Sequence, residues 1–321
     1  MFLNESNLEK IAAGDLDALA QADAEGFICG ASEDATAFSE RLRAFSKNCA
    51  ALESALESTG KYDCEGIVVT TQDRIDARRF AAIAPRTQAL YGFAIDWVPG
   101  FYVDPSFSFL FGGCAYCQYP DFFTMFIIRR SFKRKARWLI YDRDELLSHE
   151  LCHVAHIGLE SRLYEETFAY RTSASAFRRL IGGMFCCQTD SFMFLGAAFL
   201  LLLAQVIRTF CWAASPLSPF WLILVAVFAW LGIRHYRSIS RLNRALRALE
   251  LEFGDNAWNV LFRCTDEEII QLAKITEAAD VGQWLEKHQE NTLRWKIIMR
   301  RFPPMNDNSI NEDRDTASTT G

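Results

Sequence analysis

Histidine is scarce in this chain, with five in 321 residues, yet three of the five stand at positions 149, 153 and 156. Other absences narrow the class. There is no excess of positive charge: 34 Lys and Arg against 40 Asp and Glu leave a net charge of -6, which argues against nucleic acid as a partner. The ten cysteines lack the regular spacing of a secreted disulfide scaffold, so reduced thiols in a cytosol-facing environment are expected. Met1-Phe2-Leu3-Asn4-Glu5 has no basic segment followed by an apolar run, so no signal peptide is expected. With 50% hydrophobic and 23% charged residues, the composition is that of a folded protein.

Apolar periodicity predicts helices over residues 4–60, on Leu8, Ile11, Ala12, Leu16, Leu19 and Ala20, then on Phe38, Leu42, Phe45, Leu52 and Leu56, with a break at Gly26 to Ser32. Ile67 to Thr70 is a short β-branched run, and Arg74 to Gly92 reads as helix. Phe93 to Cys117 is aromatic and punctuated by Pro99-Gly100, Asp104-Pro105 and Gly112-Gly113. Strands are predicted over Phe122 to Phe132 and Ala136 to Tyr141, joined through the basic Lys133-Arg134-Lys135. A helix follows. Asp142 is its expected cap, Glu145 the expected partner in a capping box, and Gly158 its expected stop.

Residues 191–207 and 209–233 carry no charge and are interrupted only by Arg208, while Pro216 and Pro219 split the stretch. Crossing a bilayer takes about 20 apolar residues, so a transmembrane hairpin of about 191–213 and 217–233 is expected. A buried hairpin in a soluble core is the alternative; neither Phe199 to Leu203 nor Trp221 to Val225 has the polar face that a surface helix needs. Arg178 and Arg179 precede the hairpin and Arg234, Arg237, Arg241, Arg244 and Arg247 follow it, whereas the connecting loop has no basic residue. The positive-inside rule then places both long ends in the cytoplasm. The expected fold class is α+β. Its divisions are a helical region over 1–60, a metal-site domain over 61–188, the hairpin over 189–233, a cytoplasmic helical region over 234–303 and a disordered tail over 304–321.

His149-Glu150-Leu151-Cys152-His153 is an HExxH motif. Residues i and i+4 share a helix face, so His149 and His153 can offer two imidazoles to one Zn2+ ion. Glu150 stands beside the first ligand, where a carboxylate can act as general base toward water. Zinc lowers the pKa of bound water to about 7. The bland alternative is a surface helix that happens to carry these residues. A catalytic zinc site needs a third protein ligand. His156 is a poor one, because it sits a turn beyond His153 on the same helix; it is expected as an outer neighbour or helix-surface residue. The metzincin pattern fails, with His156 and Leu159 where Gly and His belong. After Gly158, Tyr164-Glu165-Glu166-Thr167 can start a second helix bearing a carboxylate, although both glutamates could equally be a solvated helix start.

Over about residues 122–175 the chain resembles the gluzincin class of zinc peptidases, in which HExxH is followed by a helix bearing a Glu ligand. The resemblance implies a small zincin-like domain, of short sheet plus active-site helices, and the metal set His149, His153 and Glu166, since Glu166-Thr167-Phe168-Ala169 fits the class register Glu-x-x-Ala. Glu165 stays open. Tyr170 departs from the Asp or Asn that usually orients the first histidine. In membrane gluzincins of the prenyl-protease and heat-shock type, transmembrane helices can separate the motif from its ligand, which makes Glu252 a further alternative. The implied activity is hydrolysis of a peptide or protein substrate with Glu150 as general base and Tyr164, Tyr170 or Arg171 as oxyanion donor; one of the predicted strands would bind the substrate. A non-catalytic membrane scaffold and a non-peptidase zinc hydrolase are the competing functions. Cys114-Ala115-Tyr116-Cys117 is a lone CxxC without the second pair of a zinc ribbon.

Overall fold

The computed structural model describes residues 3–104, 111–118 and 123–305. The predicted turn at Pro105, the start of the predicted strand at Phe122 and the tail from residue 306 lie outside them. Within them the fold is mixed and dominated by helix, with small sheets.

Three helices open the chain: α1 (Glu5–Ala12), α2 (Leu16–Ala24) and α3 (Ala35–Thr59). The periodic run over 8–20 is therefore two helices. Gly14 takes a φ of 80° and Asp15 caps α2 with its side chain, so the apolar rhythm survives a turn that breaks the backbone. β1 (Lys61–Cys64) pairs antiparallel with β2 (Ile67–Thr70). α4 (Ala77–Tyr91) is capped by Asp76 and ended by Gly92, whose φ is 69°.

The central sheet has the order β3-β5-β4, from β3 (Gly100–Val103), β4 (Gly113–Gln118) and β5 (Phe123–Arg129). β5 runs parallel to β3 and antiparallel to β4. Strand alternation divides the molecule. Phe126 and Ile128 enter one core with Leu147 and Leu151, whereas Met125 and Ile127 enter another with Phe38 and Leu42 of α3. Both faces are covered, which is why β5 reads as a continuous apolar run. Removing the Phe126 ring costs about 3–5 kcal/mol by the usual cost of emptying a buried aromatic site.

The segment 136–141 is not one strand. It is a small hairpin of β6 (Arg137–Trp138) and β7 (Tyr141–Asp142), with Leu139 at a φ of 50° in the turn. α5 (Arg143–His156) follows, and Asp142 accepts from the amides of Asp144 and Glu145 as expected of a cap. The capping box does not form, because the Glu145 carboxylate is drawn away to Ser173 and Arg178. Gly158 is not the stop either. α5 passes into a 3-10 turn, Ile157–Leu159, and the left-handed residue is Glu160. Gly158 is needed for close approach: a Cβ there would stand 2.7 Å from the Ile28 carbonyl oxygen.

α6 (Glu165–Arg171) and α7 (Ala176–Ile181) lead through a 3-10 turn, Gly182–Met184, into α8 (Gln188–Phe210) and α9 (Ser218–Phe253). α8 and the first part of α9 are long and apolar enough to cross a membrane, and only 22% and 6% of their most apolar stretches are buried. A hairpin inside a soluble core would be covered. α9 continues past its apolar part without a break, and its far end packs against α10 (Ala257–Leu261), α11 (Asp266–Leu272) and α12 (Ala278–Asn291). α13 (Leu293–Arg301) returns to α2. Leu249, Val260, Phe262 and Trp295 share one core with Leu147 and Leu151, so the helices after the apolar hairpin pack directly against those of the motif. Met305 is held by its amide on the Glu252 carbonyl, a contact beyond the expected start of the tail at 304.

Candidate metal centre

α5 and α6 pack side by side, and this pairing assembles the site. Leu147, Leu151 and Val154 bury one side of α5, leaving His149 and His153 on another side toward α6. Their Nε2 atoms lie 3.2 Å apart. The Glu166 carboxylate reaches both, with one oxygen 3.6 Å from His149 Nε2 and the other 3.6 Å from His153 Nε2. Ligand atoms about 2.0–2.2 Å from a tetrahedral zinc stand about 3.3–3.6 Å apart; here one ligand atom from each of the three residues lies within 4.8 Å of the others, so the triangle is close to the size of one face of a zinc coordination shell.

The two expected glutamates part company here. Glu165 turns to the far side of His153, where its carboxylate accepts from Nδ1 at 2.7 Å. That bond leaves Nε2 pointing into the triangle, the arrangement by which a carboxylate orients a metal-binding histidine. Burial lowers the pKa of His153, but the Glu165 bond and the surrounding carboxylates outweigh it and push it up to about 9. His149 is held down at about 3 by burial and by the charge of His153. Its ring bonds the Ala169 carbonyl, so backbone takes the orienting role for which Tyr170 has the wrong chemistry. Tyr170 packs its ring edgewise on His149, with centroids 4.5 Å apart.

Glu150 is buried, and its carboxylate accepts from the Ala115 amide of β4 at 2.8 Å. Burial pushes its pKa up to about 7, in the range where a carboxylate can take and give a proton near neutrality. Because the Ala115 N–H points at α5, it points away from β5, and alternation puts Gly113 and Cys117 backbone groups on the same outer edge. β4 is the outer strand among the described residues. An outer strand edge beside the histidines, expected of 122–132 or 136–141, belongs to β4: β5 is the central strand, and β6 and β7 have two residues each. The turn-rich 93–117 segment concealed β4, because Gly112 and Gly113 read as punctuation. A Cβ on Gly113 would stand 2.7 Å from Ile128, so the second glycine serves close strand packing.

The remaining candidates stand outside the triangle, although His156 lines the same polar cleft. His156 is buried rather than on the helix surface; its Nε2 donates to the Phe262 carbonyl at 2.7 Å, and burial holds its pKa at about 4. Glu252 lies near Gly282 of α12 and is absent from the cleft around the histidines. Arg171 stacks on Trp258, 3.5 Å above the ring, and Tyr164 is wholly buried. Cys114 borders the histidine cleft, while the Cys117 side chain is outside the described residues. A second cluster, Cys186, Cys187 and Asp190, is already satisfied, because Arg234 donates to both Asp190 oxygens.

The site has two openings. A polar cleft of about 410 Å³ borders Cys114, Ala115, Glu150, both histidines and Glu166. An apolar cleft of about 490 Å³ leaves His149 and Tyr170 between Ile140, Leu146, Phe177 and Phe185. No family, curated protein or solved structure matches the chain.

Proposed function

We propose that the chain is a membrane-anchored zinc metallopeptidase of the gluzincin type, with His149, His153 and Glu166 as metal ligands and Glu150 as general base. The observation that carries the reading is the triangle of two Nε2 atoms and one carboxylate, at 3.2, 3.6 and 3.6 Å, on two adjacent helices. The donor set suits zinc, and Glu165 behind His153 and the Ala169 carbonyl behind His149 supply the orienting bonds such a site needs.

A zinc ion there would supply Lewis acidity toward a peptide carbonyl and make water acidic enough to lose a proton near pH 7. Glu150 takes that proton on its carboxylate and passes it to the leaving amine. The Ala115 amide fixes the Glu150 carboxylate, so the base is aimed before substrate arrives. The outer edge of β4 aligns an extended substrate by main-chain hydrogen bonds. Tyr170 is the best placed of the oxyanion-donor candidates; burial pushes its hydroxyl up to about 12, so it stays a donor at neutral pH. α8 and α9 span the bilayer as a hairpin. The arginines at its outer ends support a cytoplasmic position for the site.

Elemental analysis of protein purified without chelator tests the metal. One zinc per chain is expected, falling to background in His149→Ala. Wild-type protein that holds no zinc would end the proposal.

A further inference from the structure

The turn of the β6–β7 hairpin is Leu139-Ile140, and the two residues are 58% and 73% exposed. Two-residue hairpin turns in water favour Asn-Gly or Asp-Gly. Here a leucine occupies the left-handed region at φ 50°, which its Cβ disfavours. Two apolar residues raised on a strained tip need a compensating partner. Arg134 and Lys135, both exposed, precede this hairpin. Across the apolar cleft, α7 presents Phe177 and Leu180 at 67% and 64% exposure. Ile140 and Phe177 border the same cleft, so the two apolar points stand on either side of one mouth.

The height of this mouth relative to the apolar helices is given by hydrogen bonds. Arg234 and His235 are the first polar residues after the apolar part of α9. His235 Nε2 donates to the Leu180 carbonyl at 2.6 Å, and Arg234 donates to the Met184 carbonyl at 3.1 Å and to Asp190 in the first turn of α8. α7 is thus tied to the level at which both apolar helices end. The metal-site helix is tied there too, since a Cβ on Gly182 would strike the Tyr170 ring and one on Gly183 the Thr167 hydroxyl.

We infer that the mouth of the apolar cleft, formed by the Leu139–Ile140 turn and by Phe177 and Leu180 of α7, docks into the lipid leaflet at which α8 and α9 end, so that the cleft beside His149 opens into the bilayer. Exposed apolar side chains at the tip with basic residues alongside suit a bilayer carrying anionic headgroups. The inference rests on α8 and α9 being membrane spans and not on the peptidase chemistry.

The test is photo-crosslinking of the full chain in vesicles of phosphatidylcholine and phosphatidylglycerol. A benzoylphenylalanine is placed singly at Ile140, Phe177, Leu200 or Leu251. Leu200 lies in the apolar part of α8. Leu251 is an exposed apolar residue of α9, 18 positions beyond Ile233, or about 27 Å at a helical rise of about 1.5 Å per residue. Phospholipid adducts read by mass spectrometry should form at Ile140 and Phe177 nearly as well as at Leu200, and about tenfold above Leu251. If Leu200 forms adducts while Ile140 and Phe177 stay at the Leu251 level, the docking face is wrong. If Leu200 also stays at that level, the spans fail and the docking face with them.

Discussion

Two buried clusters of charge in this molecule differ in one respect. Around α11 and α13 every buried carboxylate meets a guanidinium. Asp23 is bonded by Arg263 and Arg301, and Glu268 by Arg294 and by the indole of Trp295. Around α5 and α6, Glu150, Glu165 and Glu166 converge on two histidines, and none forms an ion pair with Arg or Lys among the described residues. Buried charge without a partner is expensive; the first cluster is closed by guanidiniums, whereas in the second the carboxylates face only imidazoles. The first ties the N-terminal helices to the C-terminal ones across 240 residues. The second carries the features of a functional site.

The comparison can be broken most severely at Glu150. Glu150→Gln keeps the shape and can still accept from Ala115, so zinc content should hold while peptide hydrolysis falls by about 10²–10⁴-fold, the range for loss of a general base. Unchanged turnover would show that Glu150 is one more structural carboxylate. In the complete cluster, Asp23→Ala leaves Arg263 and Arg301 buried without a counter-charge. Equilibrium unfolding should show a loss of about 3–5 kcal/mol with zinc stoichiometry unchanged. A smaller contrast is expected from Glu165→Gln, which weakens the orienting bond to His153: zinc affinity by competition with a chelating dye should drop by about 10–100-fold. Loss of all zinc would make Glu165 a ligand instead.

The smallest effect is on pH. Burial raises the pKa of Glu268, but the Arg294 charge and the bonds from Arg294 and Trp295 more than offset it and hold the carboxyl below its ordinary 4.5. The folded state therefore binds this proton less readily than the unfolded chain. Its contribution is fully present above pH 4.5 and is lost as pH falls through the folded value. Thermal melts should fall below pH 4.5, and Glu268→Gln, at a lower starting stability, should flatten that limb. An unaltered acid limb would remove Glu268 from the cause.

Legibility followed the range of the signal. The HExxH spacing and the Asp142 cap are local, and both stand where the residues put them. The exposed apolar helices are equally local, because 20 residues of uniform character need no partner to be recognised. β3 and β4 were hidden, since four consecutive buried residues show no alternation and paired glycines look like a turn. The Glu145 capping box failed because Arg178, thirty-three residues on, competes for the same carboxylate. Helix geometry alone left His156 as an outer neighbour or a surface residue, and packing by Phe168 and by Phe262 from beyond the hairpin buries it.

The sequence by itself determined the site's chemistry and the hairpin: which side chains are titratable, their spacing on one helix, and where apolar character runs long enough to cross lipid. Only the tertiary structure separated Glu166 from Glu165, gave β4 the outer edge, and set the cleft mouth level with the ends of the apolar helices. The reason is distance along the chain. Periodicity reports the faces of a single element, whereas these assignments depend on which elements meet, and that is decided by packing among segments up to 55 residues apart.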